Sequence, residues 1–217
     1  MSPRRYLVVV AHPDDEALGC GGLIAKASDA GNEVRVLLAT ARCDPRGIAH
    51  WPALLRQFEQ SCQLLGAAPI LADPLLPETD AEPSPHRLTD LILPWVEEAD
   101  AVLTHWPGDV NQVHRGVARA VEIATRPFRR RRDVSLFEVP TSTDQAFGGT
   151  SRLAFAPNEY VVLDASHARR KCEAVELYAS EVVAGRTGDD IERRLRMRGA
   201  EIGATFAEAY SVARRFG

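Results

Sequence analysis

The chain has 217 residues, 45% hydrophobic and 26% charged, with 26 Lys and Arg against 30 Asp and Glu for a formal charge of −4. That length suits one α/β domain, expected to run over residues 1–217. The near-balanced charge offers no general attraction to nucleic acid or anionic lipid, and no stretch approaches the ~18 apolar residues that span a bilayer. Cys20, Cys43, Cys62 and Cys172 include no C-x-x-C pair and read as small core or near-site residues rather than a disulfide or metal framework. The apolar run Leu7–Ala11 ends too soon, at His12 and three acids, for a signal peptide, so a cytoplasmic location is expected.

Tyr6–Ala11 predicts a first strand, apolar throughout as a strand covered on both faces should be. A helix over 16–30 follows and stops at Gly31–Asn32, residues that tolerate the left-handed turn of a helix end. Glu33–Thr40 predicts the second strand, and 52–66 the second helix, with Pro52 in its first turn and Gly66 closing it. The stretch 73–86, rich in proline and acids, reads as a long surface loop of the kind that is often functional. Beyond it come a helix over 86–98, a strand at Ala101–Thr104, a helix over 114–126 and a strand at Val134–Val139. The basic run Arg129–Arg132 reads as a solvated turn, and the chain from Ala165 onward as largely helical, broken near Gly185–Gly188. Strands alternating with helices predict an α/β fold, a mostly parallel sheet flanked by helices, with a helical C-terminal segment.

Two clusters carry chemistry. The first strand runs directly into A-H-P-D-D-E-A-L-G-C-G-G, Ala11–Gly22. His12, Asp14, Asp15 and Glu16 cannot all be buried and idle, because unpaired buried charge is expensive. One of the acids could simply cap the helix, but capping calls for neither a histidine nor a small-residue G-C-G-G tract. His12 and Asp15, three apart at a strand-to-helix turn, can converge on one metal ion while Asp14 points elsewhere. The glycines do not spell G-x-G-x-x-G, which argues against a dinucleotide site. The second cluster, Thr104–Gly116, supplies His105, Asp109, Asn111 and His114. With a strand order of 3-2-1-4-5 the two clusters face one crevice at the switch point of the sheet. Two histidines and one carboxylate make a three-ligand site of the catalytic zinc type. His114 is preferred to His105 as the third ligand, because it opens a helix as Asp15 does.

At these residues the sequence resembles the PIG-L/LmbE-like family of zinc-dependent de-N-acetylases. The resemblance rests on A-H-P-D-D-E at 11–16 and on His114. R-x-x-E at Arg56 and Glu59, P-G-D-x-N-x-x-H-R at 107–115 and F-A-P-N-E-Y at 155–160 support it. It implies a Rossmann-like sheet, a zinc or other divalent ion held by His12, Asp15 and His114, Asp14 as general base, and Arg56 as a candidate for holding substrate. It also implies a small-molecule N-acyl amino-sugar substrate, no nucleic-acid or membrane partner, and leaves a homo-oligomer open. Where many members carry a histidine and an aspartate before the last ligand, this chain has Asn111 and Val113, so the usual second acid/base is absent. Asp109 and His105 are possible replacements, and Asn111 a possible oxyanion donor. The expected function is amide hydrolysis by metal-activated water. The rivals are a metal- or sugar-binding module without turnover and an amidohydrolase acting on a non-sugar amide.

Overall fold

A computed structural model describes residues 3–128, 130–147 and 154–216. Its first half follows the predicted alternation: β1 (Arg5–Val10), α1 (Asp15–Asp29), β2 (Glu33–Ala41), α2 (Pro45–Leu65), β3 (Ala68–Pro77), α3 (Pro85–Glu98), β4 (Ala101–His105) and α4 (Gln112–Ala124). Then come β5 (Asp133–Phe137), β6 (Glu159–Leu163), α5 (Ala165–Glu176), α6 (Gly188–Ala200) and β7 (Phe206–Arg214). The seven strands form one sheet in the order β3-β2-β1-β4-β5-β7-β6. The first five run parallel, whereas β7 lies antiparallel to both β5 and β6. No helix among the described residues is long and apolar enough to cross a membrane.

Helices cover both faces of the sheet. On one face Val8 and Val10 pack with residues of α1, α2, α5 and α6, including Ile24, Phe58, Val175 and Leu195. On the other, Leu7, Val9 and Ala11 pack with α3 and α4 through Leu88, Ile92, Val117 and Val121. The alternate side chains of β1 thus serve two cores, which is why the strand is apolar and buried from Leu7 to Val10.

Four expectations are corrected. The second helix starts at Pro45, not Pro52, because Asp44 accepts from the Gly47 N–H and Pro45 occupies the first turn. The stretch 73–86 is not one loop: β3 pairs with β2 as far as Pro77, and a 3₁₀ turn, Glu78–Asp80, follows. The C-terminal segment is helical only through α6. Phe206–Ala207–Glu208–Ala209–Tyr210 contains good helix formers, but it is buried between β5 and β6, and pairing overrides propensity. In the basic run, Arg129 lies outside the described residues, while Arg132 is buried and donates to the Arg130 and Glu97 carbonyls.

The G-C-G-G tract has a structural explanation. α1 is broken at Cys20, whose backbone (φ −144°, ψ 21°) is not helical. Past the break, the Gly22 and Leu23 N–H groups donate to Glu208 of β7, at 2.8 and 2.7 Å. Before it, Lys171 of α5 donates to the Leu18 carbonyl at 2.8 Å and to Glu208 at 2.6 Å. A buried ion pair thus satisfies both ends of the interruption. Glycine is needed for close packing: a Cβ at Gly19 would lie 2.3 Å from the Phe137 ring, and one at Gly22 would lie 2.3 Å from Leu163. Lys171→Met removes the cation and leaves a buried carboxylate unpaired. It is expected to lower the unfolding free energy by about 3–5 kcal/mol in urea titrations. A loss below about 1 kcal/mol would mean that the pair does not hold the helix break together.

Candidate metal centre

β1 and β4 are hydrogen-bonded neighbours, so the two chemical clusters leave the same end of the sheet side by side. Buried hydroxyls tie the strand ends there: Thr40 of β2 donates to the Ala11 carbonyl at 2.6 Å, and Thr104 of β4 to the Val9 carbonyl at 3.1 Å. His12, Asp15 and His114 meet beyond these ends, with one ligand atom from each within 4.8 Å of the others. His12 Nδ1 lies 3.3 Å from His114 Nε2 and 3.6 Å from Asp15 Oδ2, and His114 Nε2 lies 3.3 Å from Asp15 Oδ1. Ligands about 2.0–2.1 Å from a tetrahedral ion stand roughly 3.3–3.4 Å from one another, so the spacing fits a divalent ion such as zinc.

The outer atoms of each ligand are held as well. Asp15 Oδ2 accepts the His12 N–H at 2.7 Å. His12 Nε2 lies 3.3 Å from Glu78, whose other oxygen accepts the Cys43 N–H at 2.7 Å. His114 Nδ1 faces Asp109 at 3.3 Å, off the hydrogen-bond direction. Carboxylates behind metal-binding imidazoles fix ring orientation and strengthen the ligand. Glu78 escapes a sequence reading because it lies in the 3₁₀ turn after β3; its acidic surroundings in 73–86 are the only signal.

The electrostatics favour a cation at the meeting point. Burial opposes charge on His114, yet Asp15 and Asp109 raise its pKa to about 9. His12 also moves up, with contacts to Asp15 and Glu78 outweighing its burial. Asp15 moves well below the usual range, since the neighbouring His114 outweighs its own desolvation.

Asp14 is placed differently. Its backbone is left-handed (φ 111°, ψ −27°), a costly conformation for a residue with a side chain, and its carboxylate makes no helix-capping bond. The carboxylate instead lines the cavity with His12, Asp15 and His114, and Arg186 Nη1 lies 3.3 Å from its Oδ2. Burial, aided by Asp15, holds its pKa well above the ordinary value. Glu16 underpins this turn from behind: Ser61 and Tyr178 hydroxyls donate to its Oε1 at 2.6 Å each, and its Oε2 lies 3.3 Å from the Asp14 N–H. Burial raises the Glu16 pKa to about 7 against those two hydroxyls.

The remaining expected residues separate. His105 is fully buried, stacks on His114 and accepts the Ala11 N–H through Nε2 at 3.1 Å. Burial and the neighbouring His114 push its pKa to about 3, so it is a neutral packing and backbone-binding group rather than a replacement acid. Asp109 is equally sealed, accepting from Ser142, Thr143 and the Asn111 N–H. Against its burial, His114 and the two hydroxyls bring its pKa to about 2, so it supports His114 and does not trade protons. Asn111 lines the cavity, but its carbonyl oxygen caps α4 by accepting the Val113 N–H at 2.8 Å. Val113 belongs to the apolar core between β1 and α4, where an aspartate would bury its charge. Arg56 lies exposed on α2 and is not among the described residues lining the cavity. Trp106 packs edge-on to Phe155 and is not among the described residues lining the cavity. The cavity, of about 530 Å³, is instead bordered by two other cations, Arg42 and Arg186.

A three-ligand cluster at the switch point of a mostly parallel sheet defines an α/β protein with a candidate catalytic metal site. The GlcNAc-PI de-N-acetylase (PIG-L) family matches residues 7–125, and the chain belongs to that family. No curated protein sequence matches it. Among solved structures it is similar to GalB, the 4-carboxy-2-hydroxymuconate hydratase of Pseudomonas putida KT2440 (18% identity, TM-score 0.74, covering 99% of this chain and 98% of that one). It is also similar to the N,N'-diacetylchitobiose deacetylase of Pyrococcus horikoshii (19%, 0.70, 96% and 83%). A third is the zinc-inhibited form of the teicoplanin deacetylase Orf2 (16%, 0.74, 98% and 100%). At these identities the likeness establishes the fold, and the fold alone does not choose between hydration and deacetylation.

The raised His114 pKa has a measurable consequence. At pH 7 the ring lies below its value of about 9 and is protonated, and it must lose that proton to bind a metal. Zinc titration at pH 7 is expected to release about one proton per ion, read by calorimetry in buffers of different ionisation enthalpy. Affinity should rise with pH up to about 9 and then level off. Affinity independent of pH over that range would refute the assignment of His114 as a ligand.

Proposed function

We propose that the chain is a divalent-metal amidohydrolase, with zinc as its ion, that removes an N-acyl group, acetyl first among them, from an amino-sugar-containing small molecule. The observation that carries this is the convergence of His12, Asp15 and His114 with the uncapped carboxylate of Asp14 beside them in one solvent-connected cavity. Family membership supports de-N-acetylation. The fold neighbours named for N,N'-diacetylchitobiose and teicoplanin support a substrate that carries sugars. The volume of about 530 Å³ is in the range of small-molecule sites.

A divalent ion held by the three ligands supplies Lewis acidity toward a carbonyl and lowers the pKa of a bound water. The protein's own groups do the rest. Asp14 takes the proton of the attacking water and returns it to the leaving nitrogen, because an amine departs poorly as an anion. Glu78 and Asp109 keep the two imidazoles in orientation. The Asn111 amide carries N–H donors that its capping bond does not use, available to the oxygen on which charge develops.

The metal-loaded protein is expected to release primary amine from a panel of N-acetyl amino sugars, read with an amine-reactive fluorophore. Sugar binding without any amine release would replace this reading by a binding module. Asp14→Asn should retain one metal per chain and lose about 10²–10⁴-fold in kcat. His114→Ala should lose the metal by elemental analysis. Loss of metal from the Asp14 variant, or its retention in the His114 variant, would reverse the assigned roles.

A further inference from the structure

Beyond the proposed ligands His12 and His114, no imidazole among the described residues lines the cavity. Asn111 is neutral, and His105 and Asp109 are sealed away from the cavity. Among the described residues, the arginines at its border are Arg42 and Arg186. Arg42 is neutralised locally, lying 2.8 Å from Asp44 and 3.5 Å from Glu78. Arg186 is held differently: its Nε donates to two uncharged acceptors, Thr141 Oγ1 at 2.6 Å and the Pro140 carbonyl at 3.2 Å. The carboxylate it meets is that of Asp14, at 3.3 Å.

The chain invests unusual backbone geometry in placing this guanidinium. Gly185 is left-handed (φ 89°), and a Cβ there would lie 2.6 Å from Thr141 Cγ2. Thr141 is itself left-handed (φ 61°), a conformation that costs a β-branched residue. These two turns press together, and Arg186 bridges them just before Thr187, the N-cap of a capping box that starts α6. Strain of this kind is retained where surrounding structure overrides it, and it gathers at functional sites. An arginine presents five N–H groups in a rigid fork. Thr141, Pro140 and Asp14 engage Nε and Nη1, so donors remain for a ligand in the cavity.

We propose that Arg186 is a catalytic residue: its guanidinium donates to the acyl oxygen as that oxygen becomes negative, supplying charge that Asn111 cannot. This rests on the amide-hydrolysis reading above. As the water oxygen bonds to the acyl carbon, the carbonyl π pair moves onto oxygen and the water proton passes to Asp14. When that pair returns, the C–N bond breaks and the Asp14 proton passes to nitrogen. Arg186 stays protonated throughout. Its contact with Asp14 keeps base and oxyanion donor in one fixed frame.

The test uses zinc-loaded wild type, Arg186→Ala and Arg186→Lys with two readouts. One is calorimetric binding of methylphosphonate, a tetrahedral anion that needs no turnover; the other is amine release. A charge-assisted hydrogen bond of about 1.5–3 kcal/mol corresponds to roughly 10–100-fold in affinity, so Arg186→Ala should weaken methylphosphonate binding by that factor. Arg186→Lys should lose less. In turnover, Arg186→Ala should lose about 10²–10³-fold in kcat with KM little changed, and added guanidinium should restore part of it. Methylphosphonate affinity unchanged in Arg186→Ala overturns the assignment whatever the substrate proves to be. So does a turnover loss confined to KM, or one that guanidinium does not rescue. Wild type that binds methylphosphonate through Arg186 but releases no amine from any amide sinks the hydrolysis reading instead.

Discussion

Asp15 is 1% exposed, and the site is organised around keeping its carboxylate charged. A buried carboxylate without partners costs several kcal/mol, more than most single interactions return. Its partners come from two places in the chain: the His12 N–H and ring at the end of β1, and His114 in the first turn of α4. Only a sheet in which β1 and β4 are neighbours can deliver all of them. The fold and the site therefore share one requirement, and the metal-binding geometry follows from satisfying it.

That requirement propagates outward. His114 needs Asp109 behind it, and Asp109 is held by Ser142 and Thr143 in the segment after β5. The same segment carries the strained Thr141 that fixes Arg186, so the strand beyond β4 contributes to the cavity without supplying a ligand. On the opposite side, Glu16 anchors the Asp14 turn to α2 through Ser61 and to the end of α5 through Tyr178. The β1–α1 junction is thus braced by elements from most of the chain length, as a site that must hold its groups to a fraction of an ångström requires.

The interruption of α1 shows how remote parts make the junction possible. Phe137 occupies the space that Gly19 leaves, and its edge meets the His105 ring beneath the metal cluster. Glu208 and Lys171 then close the broken helix from β7 and α5. Glycines that look in isolation like a ligand-binding loop are here a packing device, with a protein carboxylate in the position where a bound anion would sit in a phosphate site.

The amino-acid sequence by itself determined the local features. The uninterrupted apolar run of β1, the helix ends at Gly31 and Gly66, and the grouping of His12, Asp14 and Asp15 after one strand and His114 after another depend on residues close together in the chain. Periodicity, turn chemistry and donor type are written at that range. Whatever depends on a distant partner was decided by tertiary structure. β7 is a strand because β5 and β6 flank it, though Ala and Glu recur along it. Asp109 and His105, acid/base candidates by residue type, are removed from proton transfer by burial and by Ser142, Thr143 and Ala11. Arg56 carries the right chemistry on an outward helix face, while Arg186 arrives at the cavity from the far end of the chain. A side chain's charge is a property of its type, but what that charge can do is set by the dielectric and the neighbours that folding places around it.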